Sequence, residues 1–201
     1  MVEQNGHQFL AIDHQALIDS KDLKIKGSHN RSNALAALAL GHAAGLSIDS
    51  MITTLKDFPG LEHRCQWVGR HQGVDYFNDS KGTNVGATEA ALEGLGPDIN
   101  GSIVLMVGGD GQGADFGFLK PSMKHVKQVV PYGRDQLLIK QSLENDVDVI
   151  LGDSFDAAFT LARESAEAGD AVLLSPACAS FDMFKSFEHR GEVFTSLVEG
   201  L

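Results

Sequence analysis

Three polar residues stand close together between an apolar stretch and a helix-like stretch, at residues 78–84. Asp79 offers a carboxylate, Lys81 an ammonium group and Thr83 a hydroxyl, so the segment could contact an anion and offset its charge. A helix that starts here would add free backbone N–H groups, which also favour anions. The alternative is that Thr83 or Asn84 only caps the helix and that Lys81 is solvated.

A second candidate loop, residues 108–116, has glycine at four of its first six positions: Gly108, Gly109, Gly111 and Gly113. Glycine allows a backbone to approach a ligand closely. The glycine spacing does not match the dinucleotide-binding fingerprint, and no acidic strand end lies suitably downstream. An ordinary surface loop therefore remains the alternative for this segment.

Small residues form a third candidate, a possible carboxylate cradle around Ser180 at the start of a helix. Cys178 lies in the same segment, but no activating base accompanies it, so a structural thiol is favoured over a nucleophile. Arg64, next to His63, is the fourth candidate, because a guanidinium group at a domain boundary can bind phosphate bidentately. A surface arginine is the alternative.

Two kinds of site lack their signatures in this sequence. It contains no Gly-Lys dipeptide and therefore no phosphate-binding P-loop of the G-x-x-x-x-G-K-[ST] type. The eight histidines are scattered and the two cysteines are far apart, so no zinc-ligand spacing occurs. We predict no metal ligands within this chain.

Beyond residue 60, apolar strands alternate with helices. Strands are predicted at residues 65–69, 74–78, 102–107, 126–132, 147–151 and 171–174, and helices at residues 85–95, 134–143, 154–168 and 183–201. Short, wholly apolar strands between helices favour a parallel sheet covered on both faces. The predicted fold class is α/β, a Rossmann-like, doubly wound, mostly parallel sheet that opens with a β-hairpin. Ligands bind such sheets at the carboxyl ends of strands, where the candidate loops lie.

Residues 1–60 show a different pattern. Strands are predicted at residues 8–12 and 23–26, followed by an Ala/Leu-rich helix that Ser28 or Asn30 caps and that should be buried almost all round. A second helix is predicted at residues 48–56. The turn Phe58-Pro59-Gly60 ends it and marks the predicted boundary between the two domains, 1–60 and 61–201.

Composition excludes several classes of protein. The net charge of −11 argues against a nucleic-acid partner. No apolar run approaches the length of a membrane span, and no signal peptide is recognisable, which favours a cytoplasmic location. The two cysteines, Cys65 and Cys178, are expected to be free thiols. A monomer is expected.

Taken in order, the motifs resemble those of the Mur ligases. They are Gly-Ser-His-Asn from Gly27, Leu-Glu-His-Arg from Leu61, Asp-Ser-Lys-x-Thr-Asn from Asp79, Gly-Gly-Asp-Gly from Gly108 and Ser-Pro-Ala-x-Ala-Ser from Ser175. These forms, with Phe-Glu-x-Arg-Gly from Phe187, are most similar to the members that add D-glutamate. The resemblance implies that residues 1–60 are the α/β tail of the central ATP-binding domain and that residues 61–201 are the C-terminal, amino-acid-binding domain.

The resemblance also implies a reaction and its residues. It is the ATP- and Mg²⁺-dependent joining of D-glutamate to UDP-N-acetylmuramoyl-L-alanine through an acyl phosphate, a step of peptidoglycan synthesis. The implied nucleotide contacts are Asn30, Asn33, Arg64, Asp79 and Lys81, and the implied catalytic residues are Lys81, Arg64 and His63. The implied D-glutamate contacts are Thr83, Gln112, Ser180 and the backbone at Phe187. Gln112 stands where the best-known members have Lys, so it can hydrogen-bond a carboxylate but adds no charge.

The family's P-loop and Mg²⁺ ligands would precede Met1, so this chain alone is expected to be inactive. One alternative is a sibling ligase that adds L-alanine, a diamino acid or folate glutamates. Two others are a non-catalytic nucleotide-binding module and an interaction domain without a ligand.

Overall fold

Three antiparallel strands open the computed structural model, which describes all 201 residues. They are β1 (Val2–Gln4), β2 (His7–Ile12) and β3 (Gln15–Asp19), followed by the helices α1 (Ser28–Ala43) and α2 (Ile48–Asp57). Together they form a compact unit, Met1–Gly60, and Leu61–Leu201 form a second one. The core of the first unit consists of buried residues from the sheet, the following bend and both helices: Leu10, Ile18, Leu23, Ala34, Leu38 and Leu55.

Several predictions for the first unit were wrong. Residues 23–26 form a bend, and Leu23 donates its amide to the carbonyl of Ser20 rather than to a strand. Gly27, at φ 91°, occupies the N-cap of α1, so neither Ser28 nor Asn30 caps the helix. The helix is also not buried all round, since only Ala34, Leu38 and Gly41 are buried in it. Its many alanines reflect high helix propensity rather than burial.

The second unit contains six strands and four helices. The strands are β4 (Gln66–His71), β5 (Val74–Asn78), β6 (Ile103–Gly108), β7 (Val126–Tyr132), β8 (Asp148–Val149) and β9 (Ala171–Leu174). The helices are α3 (Val85–Leu95), α4 (Gln136–Leu143), α5 (Phe155–Ser165) and α6 (Phe187–Glu199). An additional 3₁₀ segment, Phe116–His125, lies between β6 and β7.

The six strands form one sheet in the order β4-β5-β9-β6-β7-β8. β4 and β5 make the predicted antiparallel hairpin, and every other neighbouring pair is parallel. The chain runs from β5 to β6, β7 and β8 in one direction, and then returns through α5 to place β9 between β5 and β6. The carboxyl ends of β5, β9, β6 and β7 therefore meet along one edge of the sheet, which is called the carboxyl edge below.

Alternating residues of each central strand pack on opposite faces of the sheet. In β6, Ile103, Leu105 and Val107 join a core with α3, α4 and the 3₁₀ segment, whereas Val104 and Met106 join a second core with α5 and α6. The strand is wholly apolar because both of its faces are covered. The prediction of an α/β, doubly wound, mostly parallel sheet is confirmed.

The remaining differences concern the ends of elements. β8 has two residues rather than five, and α6 begins at Phe187 rather than at residue 183. Residues 180–183 instead form a turn in which the Ser180 carbonyl accepts hydrogen bonds from the amides of Met183 and Phe184. The prediction of a helix start at Ser180 was therefore wrong. No helix of the chain is long and apolar enough to cross a membrane.

Candidate functional site

Three loops at the carboxyl edge are joined by backbone hydrogen bonds. The amide of Ala177, after β9, donates to the carbonyl of Gly82, after β5, at 2.8 Å. Asp110, after β6, exchanges two backbone hydrogen bonds with Ala179, at 3.0 and 2.9 Å. These bonds bring three of the four candidate loops together in one assembly.

Asp79 lies beneath the first of these loops and is buried. Its carboxylate accepts hydrogen bonds from the amide of Cys65 at 3.1 Å and from the hydroxyl of Ser175 at 2.7 Å. Burial raises the pKa of Asp79 to about 6, although the hydrogen bonds from Ser175 and Cys65 and the charge of Arg64 oppose this shift. In the structure the Asp79 carboxylate supports the loop from within, and the nucleotide contact that the family resemblance implies for Asp79 stays a prediction.

Lys81 and Arg64 are both exposed residues. The Lys81 ammonium group lies 3.9 Å from the centre of the Phe187 ring, and the Lys81 amide donates to the His63 carbonyl at 3.0 Å. The His63 and Phe187 rings meet edge to face, with centroids 6.1 Å apart. The structure therefore places Lys81, His63 and Phe187 in direct contact, with Arg64 adjacent in sequence.

His63 itself is buried and anchored from below by Asn78, the last residue of β5. The Asn78 side-chain amide contacts His63 Nδ1 at 3.1 Å and the carbonyl of Gly191 at 2.9 Å. Asn78 Oδ1 accepts the amide of Ser80 at 3.1 Å. A Cβ on Gly191 would overlap the His63 ring, so α6 can approach this closely only with glycine there. Sequence reasoning gave Asn78 no role, and no local pattern marks it as an anchor.

The glycine-rich loop owes its glycines largely to packing against its neighbours. A Cβ on Gly108 would collide with the backbone of Tyr132, and one on Gly109 with the Ala179 carbonyl. Only Gly113 has open space around it. Close approach to a ligand is not needed to explain the pattern.

Gln112 and Ser180 differ in their surroundings. Gln112 is exposed at φ 52°, and its amide donates to Asp110 Oδ1 at 3.1 Å. The other Asp110 oxygen pairs with the guanidinium group of Arg134, an exposed cation beside this loop. Ser180 is buried next to the Ala179 bridge, and Thr83, half-buried, lies at the far side of the Ala177–Gly82 bond. The structure thus brings the loops carrying Thr83, Gln112 and Ser180 together, and the assignment of these residues to D-glutamate stays a prediction.

Neither cysteine has the exposed, low-pKa thiol of a catalytic nucleophile. Both are free and buried, as expected for structural thiols. Burial raises the pKa of Cys178 to about 12, and burial together with nearby Asp79 holds the pKa of Cys65 well above its ordinary value. No group of three or more His, Cys, Asp or Glu side chains in the chain is arranged to hold a metal ion.

Asn30 and Asn33 belong to the first unit, on the opening turns of α1. The Asn30 side chain is partly engaged, because its amide nitrogen donates to the Lys26 carbonyl at 2.8 Å. Asn33 is exposed. Their assignment to an adenine contact stays a prediction.

The fold and its loops define a class of protein, an α/β domain with a mostly parallel sheet, which in such folds offers its ligand sites at the carboxyl edge. Residues 63–178 match the model of the "Mur ligase, glutamate ligase domain" family, which covers more than half of the chain. The chain belongs to the Mur ligase family.

Curated relatives extend this similarity over the whole chain. A UDP-N-acetylmuramoylalanine–D-glutamate ligase of Pseudomonas savastanoi pv. phaseolicola is 54% identical over 202 residues, which is 100% of this chain and 45% of the relative. The ligase of the same name from Coxiella burnetii is 48% identical over 100% of this chain and 46% of its own length. The chain thus spans a little under half the length of the curated relatives it matches.

Solved structures share the fold at much lower identity. UDP-N-acetylmuramate-alanine ligase MurC from Thermotoga maritima has a TM-score of 0.64 at 17% identity, covering 89% of this chain and 39% of that one. MurF ligase from the same organism, in complex with ADP, has a TM-score of 0.60 at 18% identity, covering 87% and 39%. Both support the fold assignment.

Proposed function

We propose that this chain is the C-terminal part of an ATP-dependent ligase that joins D-glutamate to UDP-N-acetylmuramoyl-L-alanine in peptidoglycan precursor synthesis. Relatives named UDP-N-acetylmuramoylalanine–D-glutamate ligase are 54% and 48% identical in sequence to this chain along its entire length. The structural observation that carries the proposal is the joining of three loops at the carboxyl edge, those of Thr83, Asp110 and Ser180, with Lys81 against the Phe187 ring. Hydroxyls and the free amides of a helix start suit the carboxylates of an amino acid, and the ammonium group of Lys81 suits a phosphate.

Within this proposal the amino-acid carboxylates are held by the loops of the carboxyl edge. Thr83 and Ser180 supply hydroxyl groups, Gln112 an amide, and Phe187 a backbone N–H at the first turn of α6, where helix amides lack internal partners. Ser180 is buried and directly follows Ala179, whose backbone bridge to Asp110 holds this loop in place. A rigid cradle of this kind selects one enantiomer by geometry.

Lys81, Arg64 and His63 are proposed to act on the phosphate side. ATP, when bound, activates the carboxylate of the muramoyl substrate by phosphorylation. Lys81 and Arg64 offer exposed positive charge to offset the charge of the phosphates, and His63 positions Lys81 through the bond between its carbonyl and the Lys81 amide. Asp79 supports this loop from below, and Asn30 and Asn33 are proposed to contact the adenine.

No group of three or more His, Cys, Asp or Glu side chains in this chain is arranged to hold Mg²⁺. A requirement for Mg²⁺ is proposed for the longer ligase of which this chain would be a part. A cytoplasmic location also belongs to the proposal, because ATP and UDP-activated sugars are cytoplasmic metabolites. A monomeric state is proposed as well.

A grafted ligase tests the proposal. The corresponding C-terminal part of the Pseudomonas savastanoi relative is replaced by this chain, and phosphate release is measured with UDP-N-acetylmuramoyl-L-alanine and a panel of amino acids. We expect release that depends on D-glutamate and does not occur with L-glutamate. Lys81→Ala should lower kcat/KM about 100-fold, whereas Lys140→Ala, on the exposed face of α4, should change it less than twofold. Release that depends on L-alanine or a diamino acid instead would assign the chain to a sibling ligase.

A further inference from the structure

Arg190, on the first turns of α6, is fully buried. Its guanidinium group makes three hydrogen bonds, none of them to a carboxylate. Nε donates to the Ser80 hydroxyl at 2.9 Å, Nη2 to the Ser80 carbonyl at 2.8 Å and Nη1 to the Cys178 carbonyl at 3.1 Å. All three acceptors are neutral, and they belong to two different loops of the carboxyl edge.

A charge buried in this way is costly unless something compensates it. Arg190 takes part in none of the ion pairs of the structure. An apolar side chain at this position would pack α6 against the sheet without the free-energy cost of burying a charge. The stability of α6 alone therefore does not explain why an arginine stands here. The two loops account for it, because a planar guanidinium group can donate in several fixed directions at once.

The geometry around Ser80 strengthens the connection to α6. The Ser80 hydroxyl accepts from Arg190 and donates to the carbonyl of Phe187 at 2.7 Å, so both of its bonds reach the first turns of that helix. Ser80 immediately precedes Lys81, and Cys178 lies two residues before Ser180. One side chain therefore sets the spacing between the loop of Lys81 and Thr83 and the loop of Ser180.

We propose that Arg190 is a positioning residue for the amino-acid pocket: its guanidinium group locks the loop of Lys81 and Thr83 and the loop of Ser180 at a fixed separation. This inference rests on the proposed function for the identity of the ligand. The locking of the loops does not, because it is observable without any ligand.

The test uses the full chain with Arg190→Lys, which keeps the charge but has one donor group in place of the planar fork. Arg163→Lys on α5 is the matched control, because that guanidinium group lies 3.8 Å from Glu164 in an exposed pair. Amide hydrogen exchange is measured at Lys81 and Gly82 in one loop and at Ala177 and Ala179 in the other. Affinity for D-glutamate is measured by NMR titration in the same samples.

We expect exchange in both loops of Arg190→Lys to rise at least tenfold while the amides of β6 remain unchanged, and the Kd for D-glutamate to rise at least tenfold. Arg163→Lys should change neither. Unchanged loop exchange would overturn the proposal, and so would faster exchange with an unchanged Kd. A loss of protection throughout the sheet would show that Arg190 merely stabilises the unit, and would also overturn it.

Ser80→Ala is the milder companion variant, since it removes one of the three acceptors and leaves the guanidinium group in place. It should raise exchange at Lys81 and Gly82 about threefold or more, and leave Ala179 within twofold. Equal exchange in Ser80→Ala and the wild-type chain would count against the proposal. Should the wild-type chain bind no D-glutamate at all, the proposed function is in question, and the exchange data alone decide whether Arg190 locks the loops.

Discussion

Replacing Asp79 by asparagine should stabilise the second unit at neutral pH. The Asp79 carboxyl is buried, and its pKa lies at about 6 rather than 3.8, which corresponds to about 3 kcal/mol against the ionised form in the folded chain. Asparagine removes this cost. Asparagine can still accept a hydrogen bond from the Cys65 amide, but its side-chain nitrogen must donate to the Ser175 hydroxyl instead of accepting from it. The Ser175 hydroxyl can then donate to Thr88 Oγ1, 3.0 Å away. Allowing about 1 kcal/mol for that change, we expect a net gain of about 2 kcal/mol at pH 8.

The sign of the pH dependence follows from the raised pKa. The folded wild-type chain binds a proton at Asp79 more tightly than the unfolded chain does, so this carboxyl makes stability fall as the pH rises from about 4 to about 6. The advantage of Asp79→Asn should therefore shrink by about 2 to 3 kcal/mol between pH 8 and pH 4. Urea unfolding followed by the fluorescence of Trp67, the single tryptophan, reports on the second unit at each pH.

Asp170→Asn is the control of opposite sign. Burial pushes the pKa of Asp170 upward, but the amides of Ser102 and Glu167 and the ammonium group of Lys127 outweigh it and hold that pKa below its ordinary value. This carboxylate stabilises the fold above its unfolded pKa and loses that contribution as the pH falls. Asp170→Asn should thus be destabilised at pH 8 and less so at pH 4. If Asp79→Asn behaves like Asp170→Asn, the account of the Asp79 site is wrong.

Other expected outcomes concern backbone geometry and the two thiols. Gly191→Ala should lower the free energy of unfolding by about 1–3 kcal/mol in urea titrations, because its methyl group displaces His63; Gly86→Ala, on the outside of α3, should stabilise by up to about 1 kcal/mol. Gln72 is exposed, has φ 51° and precedes a glycine in the β4–β5 turn. Gln72→Asn should therefore stabilise the unit by about 0.5 kcal/mol, and an unchanged urea midpoint of unfolding would contradict this. Both buried cysteines should resist a disulfide reagent at pH 7.5 and react fully only in denaturant.

Much of the second unit could be predicted because its strands are wholly apolar. The strand Ala171–Leu174, the strand Val126–Tyr132 and the helix Val85–Leu95 have the predicted bounds. A capping residue marks the start of the helix, because the Asn84 side chain accepts a hydrogen bond from the Ala87 amide. The first unit was harder, because its short antiparallel strands are partly exposed and four alternating residues do not distinguish a strand from a bend.

The loops of the candidate site could also be located from residue type and order, whereas their internal support could not. Nothing local in the sequence shows that Asp79 is buried or that Asn78 anchors His63. The Asp79 site depends on Ser175, which follows the neighbouring strand β9, and Asn78 is held by Gly191 of α6, more than 100 residues away. Arg190 did leave a signal. It precedes Phe194 and Val198 at intervals of four, so helical periodicity places it on the buried face of α6.

The most direct test of the central claim is a comparison of D- and L-glutamate by NMR titration of the full chain. We predict selective, saturable shifts with D-glutamate at the amides of Thr83, Ser180 and Phe187, and none with L-glutamate at the same concentration. Equal shifts with both enantiomers, or shifts confined to residues away from the carboxyl edge, would contradict the claim that these loops form a D-glutamate site.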